Sequence, residues 1–404
     1  MALIKHIKKV LLWFALANTM FVNVAFANIT VTPEQEVGLA DASLENIGWV
    51  FFQHPSATQI LEEVIENNED KLRIYTNDNR RGIPGIYLTY QQVGNSYTTT
   101  GGRIIISTDF VNELLYNQAK GYSEKMGSGT YYQQSVLAAI VAHECSHWYR
   151  NDGIRRMNLL FNGTKYEKIA QEYINNGEYL SALRLEDKYI AELSPSDVEF
   201  YRKDSMEMEE RADRDGMEFL ARSTKFSVGG MASFLRKTRD DSDIADDDTN
   251  LHPQIASRYQ QVLNYIANIS NGRVVVKNDL LYLDGKKIMG TGKLPARRDI
   301  TSYDRTMYVA GQLASAIRYG ISKPTTDEEG GINCKSTDHE EIRKGFDDLA
   351  CLSGWNEDDS RIVIYDFIDT SQERLHGILE GKIQPANDEE RVAVEIKKFL
   401  HSNR

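Results

Sequence analysis

His143-Glu144-Cys145-Ser146-His147 is the stretch from which the rest of this chain can be read. Residues four apart on a helix lie one above the other, so His143 and His147 can face a single metal ion. Glu144 is offset by one position, which sets its carboxylate beside that ion. The preceding run, Ser135-Val-Leu-Ala-Ala-Ile-Val141, is apolar and free of Gly and Pro, and it predicts a helix carrying both histidines. Two imidazoles leave a metal short of ligands, so a third must come from elsewhere.

His-Glu-x-x-His is the pattern of zinc-dependent peptidases, in which the Glu is the general base. One form of the site continues to Gly and His at seven and ten residues past the first His. Arg150 and Gly153 stand there, which excludes it. The other form takes a Glu from a second helix. Ser205-Met-Glu-Met-Glu-Glu-Arg-Ala-Asp-Arg-Asp-Gly216 offers Glu207, Glu209 and Glu210. Only Glu209 has an Asp four residues on, Asp213, able to orient a ligand from behind. Arg211 and Arg214 hold that offset from the other two, and a cation is a poor neighbour for Zn²⁺. Glu209 is therefore the expected third ligand. Downstream, His252-Pro-Gln-Ile-Ala-Ser-Arg258 opens an apolar helical pattern through Tyr259, Val262, Leu263 and Ile266, with Pro253 at its first turn.

Taken in order, His-Glu-x-x-His, then Glu209-x-x-Ala212-Asp213, then His252-Pro253 with Arg258, the chain resembles metallopeptidase family 48. That family includes prenyl-protein proteases, HtpX-type membrane proteases and soluble periplasmic quality-control proteases. Gly101-Gly-Arg-Ile-Ile-Ile-Ser107 is similar to the strand beside the family's cleft, and Ser227-Val-Gly-Gly-Met-Ala-Ser-Phe-Leu235 has its Gly-then-helix character. The resemblance spans roughly residues 33–266. It implies an α+β, mostly helical zincin (gluzincin) catalytic domain with a small sheet, one Zn²⁺ per chain and peptide-bond hydrolysis. His143, His147 and Glu209 would be the metal ligands, with Glu144 the base. His252 or Arg258 would stabilise the second oxygen of the reacting carbonyl, and His252 could instead close the metal's open position and leave the enzyme latent. Where the family often has an Asn-Ala-Phe-Ala-like run, this chain has Asn95-Ser-Tyr-Thr-Thr-Thr100. The 62 residues from His147 to Glu209 contain no membrane-spanning stretch, unlike the prenyl-protein proteases.

The expected function is a zinc-dependent endopeptidase acting on unfolded or exported proteins, with an extended substrate paired to the strand at Ile104–Ser107. The rival is a chaperone-like or binding protein with a structural zinc site. Glu144 argues against it, because a structural site has no use for a carboxylate beside the metal.

Residues 1–27 read as a secretory signal peptide: Lys5, Lys8 and Lys9, an apolar stretch from Val10 to Ala17, and Ala25-Phe-Ala27 before the cut. The expected location is periplasmic or secreted, with no membrane segment after cleavage. Losing the leader takes three lysines and no acid, so the formal charge moves from −12 to −15. So acidic a chain has little nonspecific attraction for nucleic acid. Protein or peptide substrates are the expected partners. Cys334 and Cys351 are the natural disulfide pair in an oxidising compartment. Cys145, about 200° round the helix from His143, should face the core.

The expected organisation is a peptidase domain over residues 28–268 and a C-terminal α+β accessory region over 269–404. Thr32-Pro-Glu-Gln35 predicts a capped helix start. Ile60–Ile65 reads as helix, and Leu72–Tyr75 and Ile86–Tyr90 as strands. Phe110–Ala119 reads as helix, as does Lys165–Leu193, broken at Gly177 and placed either to cover the cleft or to pack as a pair. Asp240–Asp248 reads as a solvated acidic loop. Val274–Met289 predicts a hairpin with Asp284-Gly285 at a turn, and helices follow at Tyr303–Tyr319 and Glu389–Leu400.

Overall fold

The computed structural model describes residues 29–47, 55–76, 85–89, 96–108, 131–190, 192–223, 226–241, 255–289, 302–319, 325–326, 332–333 and 372–401. Two long helices organise it. The first, α4 (Tyr131–Arg150), carries the His-Glu-x-x-His pentapeptide, and the second, α8 (Pro195–Ser223), carries Glu209. They make the most extensive helix–helix contact among the described elements. From Val136 to Ala142 every residue of α4 is almost completely buried, as expected of an apolar helix enclosed on all sides.

Gly216 is the reason α8 comes so close. A Cβ at this position would lie 3.0 Å from the backbone nitrogen of His143 and 3.2 Å from its Cα. No side chain intervenes, so the two backbones meet at the level of the first histidine. Cys145 is fully buried in the core, as expected, and burial pushes its thiol up to about 12.

Ahead of the metal helix, α1 (Pro33–Ile47), α2 (Pro55–Glu66) and α3 (Glu69–Thr76) are followed by β1 (Gly85–Thr89), β2 (Ser96–Thr98) and β3 (Arg103–Ser107). The start of α1 is the expected capping box: Gln35 N–H donates to Thr32 Oγ1 at 3.3 Å, and Thr32 N–H donates to Gln35 Oε1 at 2.8 Å. Leu72–Tyr75, expected as a strand, is helical in α3. Asn68 begins that turn, its carbonyl accepting from Lys71 and Leu72 N–H, while its side chain donates to the carbonyls of Val64 and Phe219. A short alternation beginning at the buried Leu72 suits either element, and this cap decides for helix.

The sheet order is β1-β3-β2, with β1 parallel and β2 antiparallel to β3. This overturns one expectation. Ile104–Ser107 is the central strand, its backbone paired on both sides, so it has no edge to offer a substrate. Among the described residues β2 lies at the sheet edge, and it packs more closely on α4 than β3 does.

Between the metal helices, α5 (Asp152–Phe161), α6 (Lys165–Asn175) and α7 (Tyr179–Ile190) form a second apolar cluster with Ile29, Leu39 and Tyr201. Gly177, at φ 77°, breaks α6 from α7 as expected, and the two helices pack as a pair. Beyond α8 come α9 (Gly229–Asp241), α10 (Ile255–Ile269), a meander of β4 (Val274–Lys277), β5 (Leu280–Leu283) and β6 (Lys286–Met289), and α11 (Ser302–Tyr319). Both meander turns use left-handed residues, Asn278-Asp279 and Asp284-Gly285. Two two-residue strands, β7 (Thr325–Thr326) and β8 (Ile332–Asn333), pair antiparallel. The described residues end with α12 (Gln372–Leu379) and α13 (Asp388–His401), the latter matching the expected terminal helix.

The apolar core continues past residue 268. Met307, Tyr308, Val309 and Leu313 of α11 share one cluster with Val136 to Ala142 of the metal helix. Asp304, fully buried, accepts from Ser233 at 3.0 Å and from Arg236, pinning α11 to α9. Among the described residues no helix is long and apolar enough to cross a membrane. Phe110–Ala119 and residues 242–248 of the acidic loop lie outside the described residues.

Gly216→Val places two methyl groups where the backbones of α4 and α8 touch. It should lower the unfolding free energy by about 1–3 kcal/mol, read by chemical denaturation. An unchanged midpoint would show that the close approach carries no strain on filling.

Candidate metal centre

The structure brings His143, His147 and Glu209 to one point. The two histidine Nε2 atoms lie 3.2 Å apart. Glu209 Oε2 is 3.2 Å from His143 Nε2, and Glu209 Oε1 is 3.4 Å from His147 Nε2. Ligand atoms about 2.0–2.2 Å from a tetrahedral zinc stand about 3.3 Å from one another. Each histidine Nε2 thus lies at such a spacing from the other and from one of the two Glu209 oxygens, and the three residues could hold one metal ion between them.

The outward nitrogens of both rings are held by carboxylates. His143 Nδ1 lies 2.9 Å from Asp213 Oδ1, and His147 Nδ1 lies 2.9 Å from Asp152 Oδ2. A proton on each Nδ1, donated outward, leaves each Nε2 lone pair pointing at the shared centre. Asp213 appears where the four-residue offset from Glu209 put it. Behind it, Arg258 donates from Nε to Oδ2 at 2.6 Å and from Nη2 to Oδ1 at 2.7 Å. Burial works against a charge on Asp213, but Arg258 and then His143 hold its carboxyl well below the usual range. Burial likewise opposes the Arg258 charge, and Asp213 more than restores it. Asp152, buried, receives Arg211 on its other oxygen.

Glu144 is 3 % exposed and faces β2. Its Oε1 accepts from Ser96 Oγ at 2.7 Å and its Oε2 from Thr98 Oγ1 at 2.8 Å.

Arg258 donates to Asp213 from both Nε and Nη2, which places this contact behind His143. His252, Cys334 and Cys351 lie outside the described residues. Sequence reasoning missed Asp152, Arg211, Ser96 and Thr98 as parts of the site. Asp152 follows a break at Asn151, whose φ of 58° turns the chain back on itself. No helical periodicity carries across such a turn. The alternation of Ser96 and Thr98 on one strand face was present, but three residues are too few to stand out.

The sequence model of Peptidase family M48 matches residues 59–266, just over half of the chain. The chain belongs to this family. The match takes in the three clustered ligand residues, Glu144, Asp152, Asp213 and Arg258 together. Membership makes the protein a metallopeptidase, a hydrolase of peptide bonds. No curated protein matches the chain closely.

Two outcomes follow from the ligand environment. Burial disfavours a proton on His143, but Asp213 and Glu209 outweigh it and raise its pKa to about 10. His147 is raised as well: burial opposes its charge, and Asp152 and Glu209 favour it. An entering metal must displace such protons at every pH below the raised pKa, so apparent zinc affinity should climb as pH rises from 6 to 8. Calorimetry in buffers of different ionisation enthalpy should record proton release on zinc uptake; a pH-independent affinity would contradict this. Asp152→Asn, by loosening His147, should weaken zinc binding about 10–100-fold, measured by competition with a chromophoric chelator.

Proposed function

We propose that this protein is a zinc-dependent endopeptidase that cleaves extended segments of unfolded or exported proteins in the periplasm or outside the cell. The observation that carries the reading is the convergence of His143, His147 and Glu209 at one point, with Glu144 next to His143 on the same helix. A structural site would need a closed four-ligand shell and no neighbouring base.

His143, His147 and Glu209 would hold the ion, which supplies Lewis-acid polarisation and an activated water. Glu144 takes the proton of the attacking water and passes it to the leaving amine. A carboxylate has about four lone-pair sites, so the bonds from Ser96 and Thr98 leave room on both oxygens for that transfer. Arg258 acts at a distance from the chemistry: by fixing Asp213 it fixes the His143 ring.

Substrate choice rests on β2. Among the described residues it is the edge strand beside α4, and its outer side would offer N–H and C=O groups for pairing with an extended peptide. Such pairing reads backbone, so it favours flexible chains with loose sequence preference. The leader-like sequence pattern of residues 1–27, three lysines followed by an apolar stretch and Ala25-Phe-Ala27, supports export. A net charge of −12 for the full chain gives no reason to expect nucleic acid as a partner.

Zinc-loaded protein should degrade unfolded casein, and Glu144→Gln should lower kcat by about 10²–10⁴-fold while keeping its zinc. Cleavage of casein at the wild-type rate by Glu144→Gln would exclude the assigned base. Zinc in both proteins with cleavage in neither would favour a latent or structural site.

A further inference from the structure

The contact between β2 and Glu144 has a consequence for catalysis that the metal ligands alone do not supply. Side chains alternate along a strand, so Ser96 and Thr98 fall on one face of β2 with Tyr97 between them. That face is turned to α4. Each hydroxyl has a single proton to give. Ser96 gives its proton to Glu144 Oε1 at 2.7 Å, and Thr98 Oγ1 lies 2.8 Å from Oε2 and 3.0 Å from the Glu144 carbonyl. The two carboxylate oxygens are thus engaged by two different residues of one strand.

A carboxylate held at one oxygen can still swing about its chain, whereas two donors at a fixed spacing set both its position and the plane it lies in. The spacing is fixed here by the sheet: Ser96 pairs with Ile106 and Thr98 with Ile104 on the central, fully buried stretch of β3. Next to a metal-ligand histidine on a close-packed helix, Glu144 has its backbone fixed by α4 and its carboxylate fixed by β2.

Resting on the peptidase reading above, we infer that Ser96 and Thr98 are positioning residues for the general base. Their hydroxyls hold the Glu144 carboxylate in the plane from which it takes a proton. They do so from the same strand whose outer edge would receive the peptide, so base and scissile bond share one registration frame. Both act through Glu144, whose carboxylate their hydroxyls hold. A displacement of about 1 Å at such a group is enough to cost on the order of 10²-fold in rate.

The test is the double variant Ser96→Ala, Thr98→Val, which deletes both hydroxyls and keeps a β-branched residue in the strand. Four quantities are read: zinc content, kcat and KM on a casein-derived peptide, the Kd of a peptide hydroxamate, and the effect of the same pair in a Glu144→Gln background. The hydroxamate chelates the metal and gives its hydroxyl proton to the base, so its affinity reports the carboxylate without turnover.

The expected result is unchanged zinc content, kcat down about tenfold or more, KM within about twofold, and a weaker hydroxamate Kd. The pair should add no further loss to the residual turnover of Glu144→Gln. Wild-type kcat and hydroxamate affinity in the double variant would overturn the inference. So would a loss confined to KM, or an equal loss on the Glu144→Gln background, since either would mean the hydroxyls act without the base. If the wild-type protein itself cleaves nothing, the peptidase reading falls. The hydroxamate comparison then still decides the positioning, and equal affinities would overturn it.

Discussion

Everything at the centre depends on how closely α4 and α8 approach. Gly216 lets the α8 backbone meet that of His143, and seven residues earlier on the same helix Glu209 arrives beside both imidazoles. A metal site of this size tolerates errors of only a few tenths of an ångström in ligand spacing. Packing in a buried interface holds such tolerances because interiors are dense and compress little. Around this contact the apolar residues of α2, α9 and α11 close in, so the site is backed by the larger of the two apolar clusters among the described residues.

Charge is arranged in a chain running outward from that contact. Arg258 holds Asp213, Asp213 holds His143, and on the other side Arg211 holds Asp152, which holds His147. Each buried carboxylate therefore has both a cation and an imidazole, which answers the cost of burying it. The two rings are locked in the same tautomer by two different helices, α8 for His143 and α5 for His147. Glu144 completes the pattern with donors drawn from the sheet. Three separate packing units thus converge on a site whose residues look, in sequence, like one pentapeptide and one distant Glu.

Much of this was legible before the fold was known. The pentapeptide announced itself, and the four-residue offset from Glu209 to Asp213 singled out the ligand from its two neighbours. Those inferences worked because helical periodicity is local. What failed was non-local or short. Leu72–Tyr75 reads as a strand until the Asn68 turn before it is taken into account. Ile104–Ser107 has the apolar run of a buried strand, which is the reason it lies in the middle of the sheet and leaves the edge to β2. Asp152 lies beyond a left-handed Asn151, where no periodic rule reaches. The change of composition near residue 270 marks an accessory region, and α11 of that region contributes Tyr308 and Leu313 to the core that backs the metal helix.

The central claim is that one ion is held by two histidines and one glutamate, with no sulfur, although Cys145 sits inside the motif. X-ray absorption at the zinc edge of the loaded protein tests it directly. The expected spectrum shows nitrogen and oxygen neighbours at about 2.0–2.2 Å, a histidine scattering pattern that corresponds to two rings, and no sulfur shell. A zinc–sulfur distance of about 2.3 Å, or a spectrum unchanged by Glu209→Ala, would contradict it.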